Sequence, residues 1–493
     1  MASACVPDIW LWIRSLPEQW SGGSYSLQIC NSSSTNQRLD LIISSHSETQ
    51  PPNMSFSICS EFHDPIQLWC SNHSRMRSAH TTDHCAGFLH DIICGVLRYG
   101  PYSSGRSLFR LPSMPISEDS GSIFNLAALT LATLVCIYEA PSNLRRGFID
   151  TISAQLVRSE MRDTARKLML AMGSNIEEQW MRSVNLGMTN WAMENLRSGG
   201  SSLSPFAVFS YAVSASRLWK VQVYCPVVAM VMEHPSHQPK DEKLLFSLNY
   251  QQLEGVIQFV YKVSIKENWI DVSVKVDNIR CDLIQLVSES LMARKGYGSD
   301  EKHFPSRVSL QLTPMAQSDV LSLSVSRSSD NPVHEVGVDA GLEASLAAPA
   351  SIGLGVSAHE TVTRALRPWK FEHAVHGGGA ASLSWFLHDG AGGREVFSSE
   401  PRRLELLRPR SWFRNRYANP GRPFTRSGGV IFAGDEYGEG VCWRMRPAAA
   451  GKTVEWEIRG RVWVTYWPNK KRTMHTETRR VEFRELLQLT IAE

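Results

Sequence analysis

The chain has 493 residues, of which 43% are hydrophobic and 20% are charged. These are ordinary values for a globular protein, and they exclude a disordered or fibrous one. The length exceeds that of one typical core, so two or three domains are expected. The net charge of +3 excludes strong whole-chain attraction to nucleic acid or acidic membranes, although it allows a local basic patch.

The N-terminus does not have the pattern of a secretory signal. No basic residue precedes the first apolar positions, and Asp8 interrupts the apolar run. The ten cysteines are therefore interpreted as mostly reduced thiols. The expected location is the cytoplasm, with the nucleus as the alternative, and secretion is not expected.

An N-terminal α+β region is predicted for residues 1–121, and it contains a Cys/His-rich stretch. Nine Cys and His residues lie between Cys59 and Cys94, and thiolate and imidazole are preferred ligands of zinc. The stretch has no C-x2-C pair, and its one tight pair is Cys70 with His73, so we favour the absence of a metal site over zinc. Three β-like runs precede or enter this stretch: Ser24–Cys30, Arg38–Ile43 and Ser55–Cys59.

A helical section is predicted for residues 122–200. Ile123–Tyr138 is almost wholly apolar, but its 16 residues are fewer than a bilayer requires, so a buried helix is favoured over a membrane segment. Ser174 and Glu177 have the spacing of a capping box, which predicts a helix start at this point. A core stripe at helical spacing follows: Ile176, Trp180, Val184, Met188 and Trp191.

An antiparallel β domain is predicted for residues 205–330. Ile257–Ile265 and Ile270–Val276 alternate with period two on either side of a polar turn, which predicts a hairpin. Val308–Thr313 and Leu321–Val325 are interpreted as another strand pair. A short helix is predicted at Cys281–Ala293. The Ser-, Ala- and Gly-rich residues 327–352 indicate a loop or domain joint.

A long strand is predicted at Val454–Tyr466, where apolar side chains and Gly460 occupy every second position. With the run that ends at Ile491 it predicts a hairpin, and Gly460 is interpreted as a bend or bulge. Glycine clusters separate further β-like runs, which predicts a sandwich-like domain over residues 353–493. The predicted fold is therefore α+β, with a helical middle section and a large antiparallel, sandwich-like β portion.

One candidate site is an acidic loop near residues 434–440. It contains Asp435, Glu436, Tyr437 and Glu439. Acid/base catalysis or cation binding needs carboxylate oxygens that converge on one point. No second carboxylate motif accompanies the loop, so a hairpin turn with solvated acids is favoured. A hydrolase or transferase with its site in this loop is one alternative function.

A second candidate site is an arginine segment. Residues 394–426 contain nine arginines and no lysine, with aromatic residues between them. Arginine binds phosphate or carboxylate through two parallel hydrogen bonds, and aromatic rings can stack on bases or enter an interface. Internal pairing with carboxylates is the competing interpretation. The candidate anion- or partner-binding residues are Arg408, Arg410, Trp412, Arg414, Arg416 and Tyr417.

Motifs of known enzyme classes are not found in the sequence. There is no G-x-S-x-G elbow, no Walker motif, and no G-x-G-x-x-G after a strand. No cofactor is therefore expected, and a non-enzymatic role is favoured over an enzyme.

Several strings between residues 175 and 470 are distinctive: Asn175–Ser183, Leu244–Tyr250, Gly428–Tyr437, Ile458–Gly460 and Thr465–Lys470. Together they resemble a plant-specific family of uncharacterised conserved proteins. The resemblance extends from about Phe124 to the end of the chain. It implies a plant protein, and it implies no established reaction, cofactor or catalytic residue.

The favoured function is a non-enzymatic binding or scaffold module with a protein partner or a phosphate-bearing, anionic ligand. Binding to nucleic acid is left open. Besides the enzyme at residues 434–440, a membrane protein anchored through residues 123–138 is the other alternative.

Overall fold

The computed structural model describes residues 7–16, 23–31, 37–46, 53–61, 65–71, 74–75, 81–101, 119–156, 159–197, 208–233, 249–288, 290–291, 303–325, 333–339, 359–365, 369–377, 379–387, 429–433, 440–466 and 477–491. The chain forms two compact units. Unit 1 comprises residues 1–207 with 285–291, and unit 2 comprises residues 208–284 with 292–493.

Unit 1 contains six helices and five strands among its described residues. They are α1 (Ile9–Arg14), β1 (Gly23–Asn31), β2 (Arg38–His46), β3 (Asn53–Glu61), β4 (Pro65–Cys70), β5 (Ser74–Arg75), α2 (Thr81–Arg98), α3 (Ser120–Glu139), α4 (Ser142–Leu156), α5 (Ser159–Met172) and α6 (Ser174–Arg197). Strands β1 to β4 form an antiparallel sheet in sequence order, and β5 pairs with β3. The three strands predicted before residue 60 are confirmed.

Helix α3 lies at the centre of unit 1 and packs against the other five helices. Its side chains from Ile123 to Ile137 are buried except that of Asn125, as expected for a helix that is apolar all round. By length and composition it is the one helix of the described residues that would suffice to cross a membrane, and 78% of its apolar window is buried in the protein. It is thus the buried helix that the sequence predicts.

The break between α5 and α6 follows from one glycine. Gly173 has a φ of +78°, a backbone conformation that residues with a side chain rarely adopt. Its N–H donates to the carbonyl oxygen of Met169. Helix α6 then begins at Ser174, where the sequence predicts a helix start. Of the predicted core stripe, Ile176, Trp180 and Trp191 are buried, whereas Val184 and Met188 are half-buried.

Unit 2 is built from antiparallel strands. They are β6 (Phe209–Ala215), β7 (Leu218–Pro226), β8 (Val231–Met232), β9 (Gln251–Ile265), β10 (Ile270–Gln285), β11 (His303–Pro314), β12 (Val320–Val325), β13 (Val333–Asp339), β14 (His359–Ala365), β15 (Trp369–His376), β16 (Ala380–Leu387), β17 (Gly429–Ala433), β18 (Gly440–Met445), β19 (Thr453–Tyr466) and β20 (Glu477–Thr490). The last residue of β10, Gln285, is assigned to unit 1.

These strands form two large sheets and one hairpin. The seven-stranded sheet has the order β12-β18-β10-β9-β7-β6, with β17 also paired to β10, and the six-stranded sheet has the order β15-β16-β11-β19-β20-β8. Strands β13 and β14 pair with each other. The predicted hairpins β9–β10 and β19–β20 are therefore confirmed.

The inner faces of the two large sheets share one hydrophobic core, which makes unit 2 a sandwich. Trp456 of the six-stranded sheet lies between Trp219 and Trp443 of the seven-stranded sheet, with ring centroids 5.6 and 6.0 Å away. All three rings are fully buried. The predicted fold, α+β with a large antiparallel and sandwich-like β portion, is confirmed.

The bulge predicted at Gly460 is wrong. The pairing of β19 with β20 runs without a register shift from Thr453 to Tyr466, and Gly460 lies opposite Phe483. The glycine instead accommodates the ring of Phe483, because a Cβ atom at position 460 would overlap that ring.

The predicted pairing of Val308–Thr313 with Leu321–Val325 is also wrong. Strand β11 pairs with β16 and β19 in the centre of the six-stranded sheet, whereas β12 pairs with β18 at an edge of the seven-stranded sheet. The connection Met315–Asp319 therefore passes from one sheet of the sandwich to the other. Similar strands that are close in sequence need not share a sheet in a sandwich.

Two further corrections concern strand boundaries. Cys281 was predicted to start a helix, but β10 continues to Gln285, and Cys281 is a buried strand residue opposite Gly429. Burial changes phase between Val276 and Ile279, which hides the period of two in the sequence. Residues 327–352 were predicted to be a loop, but Val333–Asp339 within them is strand β13.

Candidate anion-binding face

Both groups of site residues predicted from the sequence lie outside the described residues. These are Arg408, Arg410, Trp412, Arg414, Arg416 and Tyr417 of the arginine segment, and Asp435, Glu436, Tyr437 and Glu439 of the acidic loop. Their roles stay predictions.

The described strands carry a different set of arginines on the outer face of the six-stranded sheet. We name this set the arginine face: Arg459, Arg461, Arg480 and Arg484, with the carboxylates of Glu457 and Glu482. It arises because every second residue of β19 and β20 points away from the sandwich core. The register places Arg459 directly opposite Arg484, and Arg461 directly opposite Glu482.

Glu457 holds the pair Arg459 and Arg484 together. Arg459 Nε donates to Glu457 Oε2 at 2.7 Å, and Arg484 Nε donates to Glu457 Oε1. Like charges directly opposite each other on a sheet repel, and the carboxylate of Glu457 offsets the repulsion between Arg459 and Arg484. Burial alone would raise the pKa of Glu457, but the hydrogen bonds and charges of Arg459 and Arg484 outweigh it and hold that pKa below its usual range.

Glu457 is much less exposed to solvent than the two arginines that it binds. The side chain of Glu457 is 6% exposed, whereas those of Arg459 and Arg484 are 56% and 62% exposed. Solvent therefore meets two guanidinium groups with the carboxylate beneath them. Arg459 and Arg484 each contact Glu457 through Nε. The terminal Nη groups of Arg459 therefore take no part in its hydrogen bond with Glu457.

Beside Arg459 and Arg484, the neighbouring arginines Arg461 and Arg480 share the carboxylate of Glu482. Arg461 Nε and Arg480 Nε lie 3.2 and 3.0 Å from Glu482 Oε1, and Arg480 Nη1 donates to Glu233 Oε1 at 2.7 Å. Glu482 is half exposed, so a negative charge is presented here beside the arginines.

One further arginine is fixed by aromatic rings at the end of the arginine face. The guanidinium carbon of Arg307 lies 4.4 Å from the ring centroid of Phe386 and 4.5 Å from that of Trp463. Trp463 in turn donates from Nε1 to Glu233 Oε1 at 2.9 Å. Cation–π contacts of this kind add order to the sheet surface next to the arginines.

Two exposed apolar side chains accompany the arginine face. Leu486 is 50% exposed and lies directly opposite Glu457, while Val231 is 63% exposed and lies directly opposite Arg480. Directly paired residues of neighbouring strands point to the same side of a sheet. Leu486 and Val231 are therefore on the outer face together with the arginines.

Sequence reasoning treated Arg459 and Arg461 only as the solvent side of a strand, and it did not single out Arg480 or Arg484. A signal was present, because Arg459 and Arg461 are two positions apart on one strand, and Arg480 and Arg484 are four positions apart on the other, so each pair points to one side of its strand. The register of the hairpin was needed to bring Arg459 and Arg484 together, since 25 positions separate them in the sequence.

A second polar cluster is buried at one end of the sandwich. His303 Nε2 lies 2.8 Å from Glu477 Oε1, and its Nδ1 lies 3.2 Å from Gln251 Oε1. Arg479 donates from Nε to Glu477 Oε1 at 2.6 Å and from Nη1 to the carbonyl oxygen of Val227 at 3.2 Å. His303 and Glu477 are completely buried, so a substrate could not reach them, and the cluster instead joins β9 to β11 and β20.

Burial favours the protonated form of several described thiols. Burial raises the pKa of Cys225 to about 12, and it also raises the pKa of Cys59 and Cys94. Within the described part of the chain, no group of three or more Cys, His, Asp or Glu side chains could hold a metal ion. Most of the predicted Cys/His-rich stretch is not covered by this statement, because several of its side chains are outside the described set.

Comparison with known proteins adds no family. No family model matches the chain, and no curated protein matches it. Among solved structures, Clostridium perfringens delta-toxin is 8% identical with a TM-score of 0.23, and the alignment covers 57% of this chain and 99% of the toxin chain. A structure described as a pore forming protein is 9% identical with a TM-score of 0.18, covering 58% and 95% of the two chains. At these TM-scores neither likeness shows a shared fold, and function has to be inferred from the residues of the protein itself.

Proposed function

We propose that the protein is a non-enzymatic binding module whose arginine face binds a phosphate group of its partner. One observation carries this proposal. Arg459 and Arg484 are held side by side by a buried carboxylate, and more than half of each side chain is exposed.

The chemistry of arginine favours phosphate as the bound group. The guanidinium fork matches the oxygen atoms of phosphate or carboxylate and binds them through parallel charge-assisted hydrogen bonds. A free arginine side chain loses conformational entropy when it binds. Because Glu457 already orients Arg459 and Arg484, less entropy remains to be lost on binding. The pair is thus a preorganised site for a single anion.

The surrounding charges favour one phosphate group over a polyanion. Glu482 is half exposed only two residues from Arg484. Three carboxylates offset three of the four arginine charges of this face: Glu457, Glu482 and Glu233. A nucleic acid or an anionic membrane would place further negative charges over Glu482. The chain as a whole adds little attraction, since its net charge is +3.

The test uses O-phosphoserine as the probe and serine as its uncharged counterpart, with binding followed by calorimetry of the full-length protein. We expect saturable binding of O-phosphoserine and none of serine. The double variant Arg459→Gln/Arg484→Gln should bind at least about tenfold more weakly, because charge-assisted hydrogen bonds contribute roughly 1.5–3 kcal/mol each.

Two further variants sharpen this experiment. Arg459→Lys/Arg484→Lys keeps the charge but removes the fork, so it should also bind O-phosphoserine weakly. Arg446→Gln removes an exposed arginine that follows β18 in the other sheet, and it should bind like the wild type. Equal affinity of the wild type and the double Gln variant would overturn the proposal, as would absence of saturable binding by the wild type.

A further inference from the structure

We propose that the phosphate is carried by an extended segment of a partner protein, which also places an apolar side chain against Leu486. This inference rests on the proposed function and names the partner of the same site.

The shape of the site favours a macromolecular partner over a small molecule. Small-molecule sites are concave and enclose most of the ligand surface. The arginine face is instead the outer surface of a β-sheet, where the side chains of Arg459 and Arg484 are more than half exposed. A phosphate group bound there would be contacted from one side only. Further contacts have to come from other parts of the molecule that carries it.

Leu486 is placed to provide such a contact. It lies on the same strand and the same side as Arg484, two residues away, which corresponds to about 6.8 Å. Side chains at positions i and i+2 of an extended peptide have the same spacing and also point to one side. A segment that runs along β20 with its phosphorylated residue on Arg459 and Arg484 therefore puts an apolar residue two positions away onto Leu486.

The opposite direction along β20 supplies two more contacts. Glu482 is two residues from Arg484 and presents a half-exposed carboxylate, which favours a basic residue of the segment at that distance. Val231 lies opposite Arg480, which is four residues or about 14 Å from Arg484. The segment complementary to this face is apolar-x-phosphoresidue-x-basic-x-apolar, read in either chain direction.

Charge complementarity distinguishes this partner from a polyanion. Along β20 the outer surface presents an apolar, a cationic and an anionic side chain in turn: Leu486, Arg484 and Glu482. At the next outward position the exposed Val231 lies beside Arg480, whose charge is paired with Glu233 and Glu482. A protein segment can match a sequence of unlike groups, whereas a nucleic acid strand or a vesicle surface repeats one charge.

The test uses synthetic seven-residue peptides of this pattern, in which phosphoserine is two positions from one apolar end and four from the other. They are compared with their unphosphorylated counterparts by fluorescence anisotropy with the full-length protein. The wild type should bind the phosphopeptide with apolar ends and a basic residue at least tenfold more tightly than the same phosphopeptide with serine at both ends. The variant Leu486→Ser/Val231→Ser should lose this preference and retain binding of free O-phosphoserine.

The matched control is Leu321→Ser, which removes an equally exposed leucine from edge strand β12 of the other sheet and should bind like the wild type. No binding of O-phosphoserine by the wild type would overturn the proposed function itself. Binding of O-phosphoserine without any gain from the apolar peptide positions would overturn only the present inference. Tighter binding of single-stranded RNA or of phosphatidylserine vesicles than of any phosphopeptide would overturn it as well.

Discussion

The ring of Phe483 covers the backbone of Gly460 from the neighbouring strand, directly across the ladder of β19 and β20. An aromatic ring placed over a glycine in this way shields a backbone that has no side chain of its own. The close approach explains why a long strand with one buried face can contain a glycine without a bulge. Residue 460 is therefore a packing position.

Gly460→Ala is expected to destabilise unit 2 by about 1–3 kcal/mol, because the added methyl group overlaps the Phe483 ring and forces it to move. The measurement is the midpoint of chemical denaturation of the full-length protein. Gly255→Ala is the matched control. It also lies in a buried strand, but its Cβ would meet Val223 at an ordinary 3.5 Å, so stability should stay unchanged or rise slightly. Equal effects of the two substitutions would contradict this explanation.

Trp456→Ala is expected to destabilise unit 2 by about 3–5 kcal/mol, since it removes a fully buried ring from between Trp219 and Trp443. Trp269→Ala is the comparison. Trp269 is half-buried beneath the guanidinium group of Arg444, and its loss should reduce stability by only about 1 kcal/mol. The difference would appear as a much larger fall in denaturation midpoint for the first variant. A small effect at Trp456 would mean that the sheets do not pack through this ring.

The buried cluster of His303 and Glu477 gives a third prediction. Glu477→Gln keeps the shape of the side chain but removes the charge that faces His303 and Arg479. Breaking a buried pair in this way is expected to destabilise the protein by about 3–5 kcal/mol. Glu482→Gln removes a half-exposed partner of Arg461 and Arg480 and should change stability by less than about 1 kcal/mol. Similar losses of stability in Glu477→Gln and Glu482→Gln would show that the buried cluster does not stabilise the protein more than an exposed ion pair does.

The sequence is informative wherever one buried face gives a regular period. Strand β19 is predicted nearly to the residue, because the sandwich core selects apolar side chains at alternate positions along its length. Helix α3 is predicted for the related reason that a helix buried all round is apolar all round. The pairing of β11 and β12 fails, because hydrophobic period does not say which of two sheets a strand joins.

The site is less accessible to sequence reasoning than the fold. The two arginines that form the proposed phosphate site are on different strands, and only the register of the hairpin places Arg459 opposite Arg484. Composition drew attention instead to residues 394–426, where arginines are dense in sequence. Arginines that are close together in the sequence need not be close together in the fold. Glu457 shows the difference, because it binds one arginine two positions away in the sequence and another 27 positions away.

The acid sensitivity of the arginine face provides the last prediction. A carboxylate whose pKa is lowered in the folded protein stabilises the fold above its unfolded pKa, which is about 4.3 for glutamate. That stabilisation is lost as pH falls through the lower folded value. Because Arg459 and Arg484 lower the pKa of Glu457, the free energy of unfolding of the wild type should fall steeply with acidification below about pH 4.3.

Glu457→Gln has already lost this contribution, so its disadvantage relative to the wild type should be full at pH 7 and should shrink as pH falls below about 4.3. Each pKa unit of lowering corresponds to about 1.4 kcal/mol of this difference. The measurement is denaturant unfolding of the wild type and Glu457→Gln at a series of pH values. If the curves of the wild type and Glu457→Gln stay parallel from pH 7 to pH 3, the two arginines do not stabilise the charged form of Glu457, and the preorganised pair on which phosphate binding depends is not present.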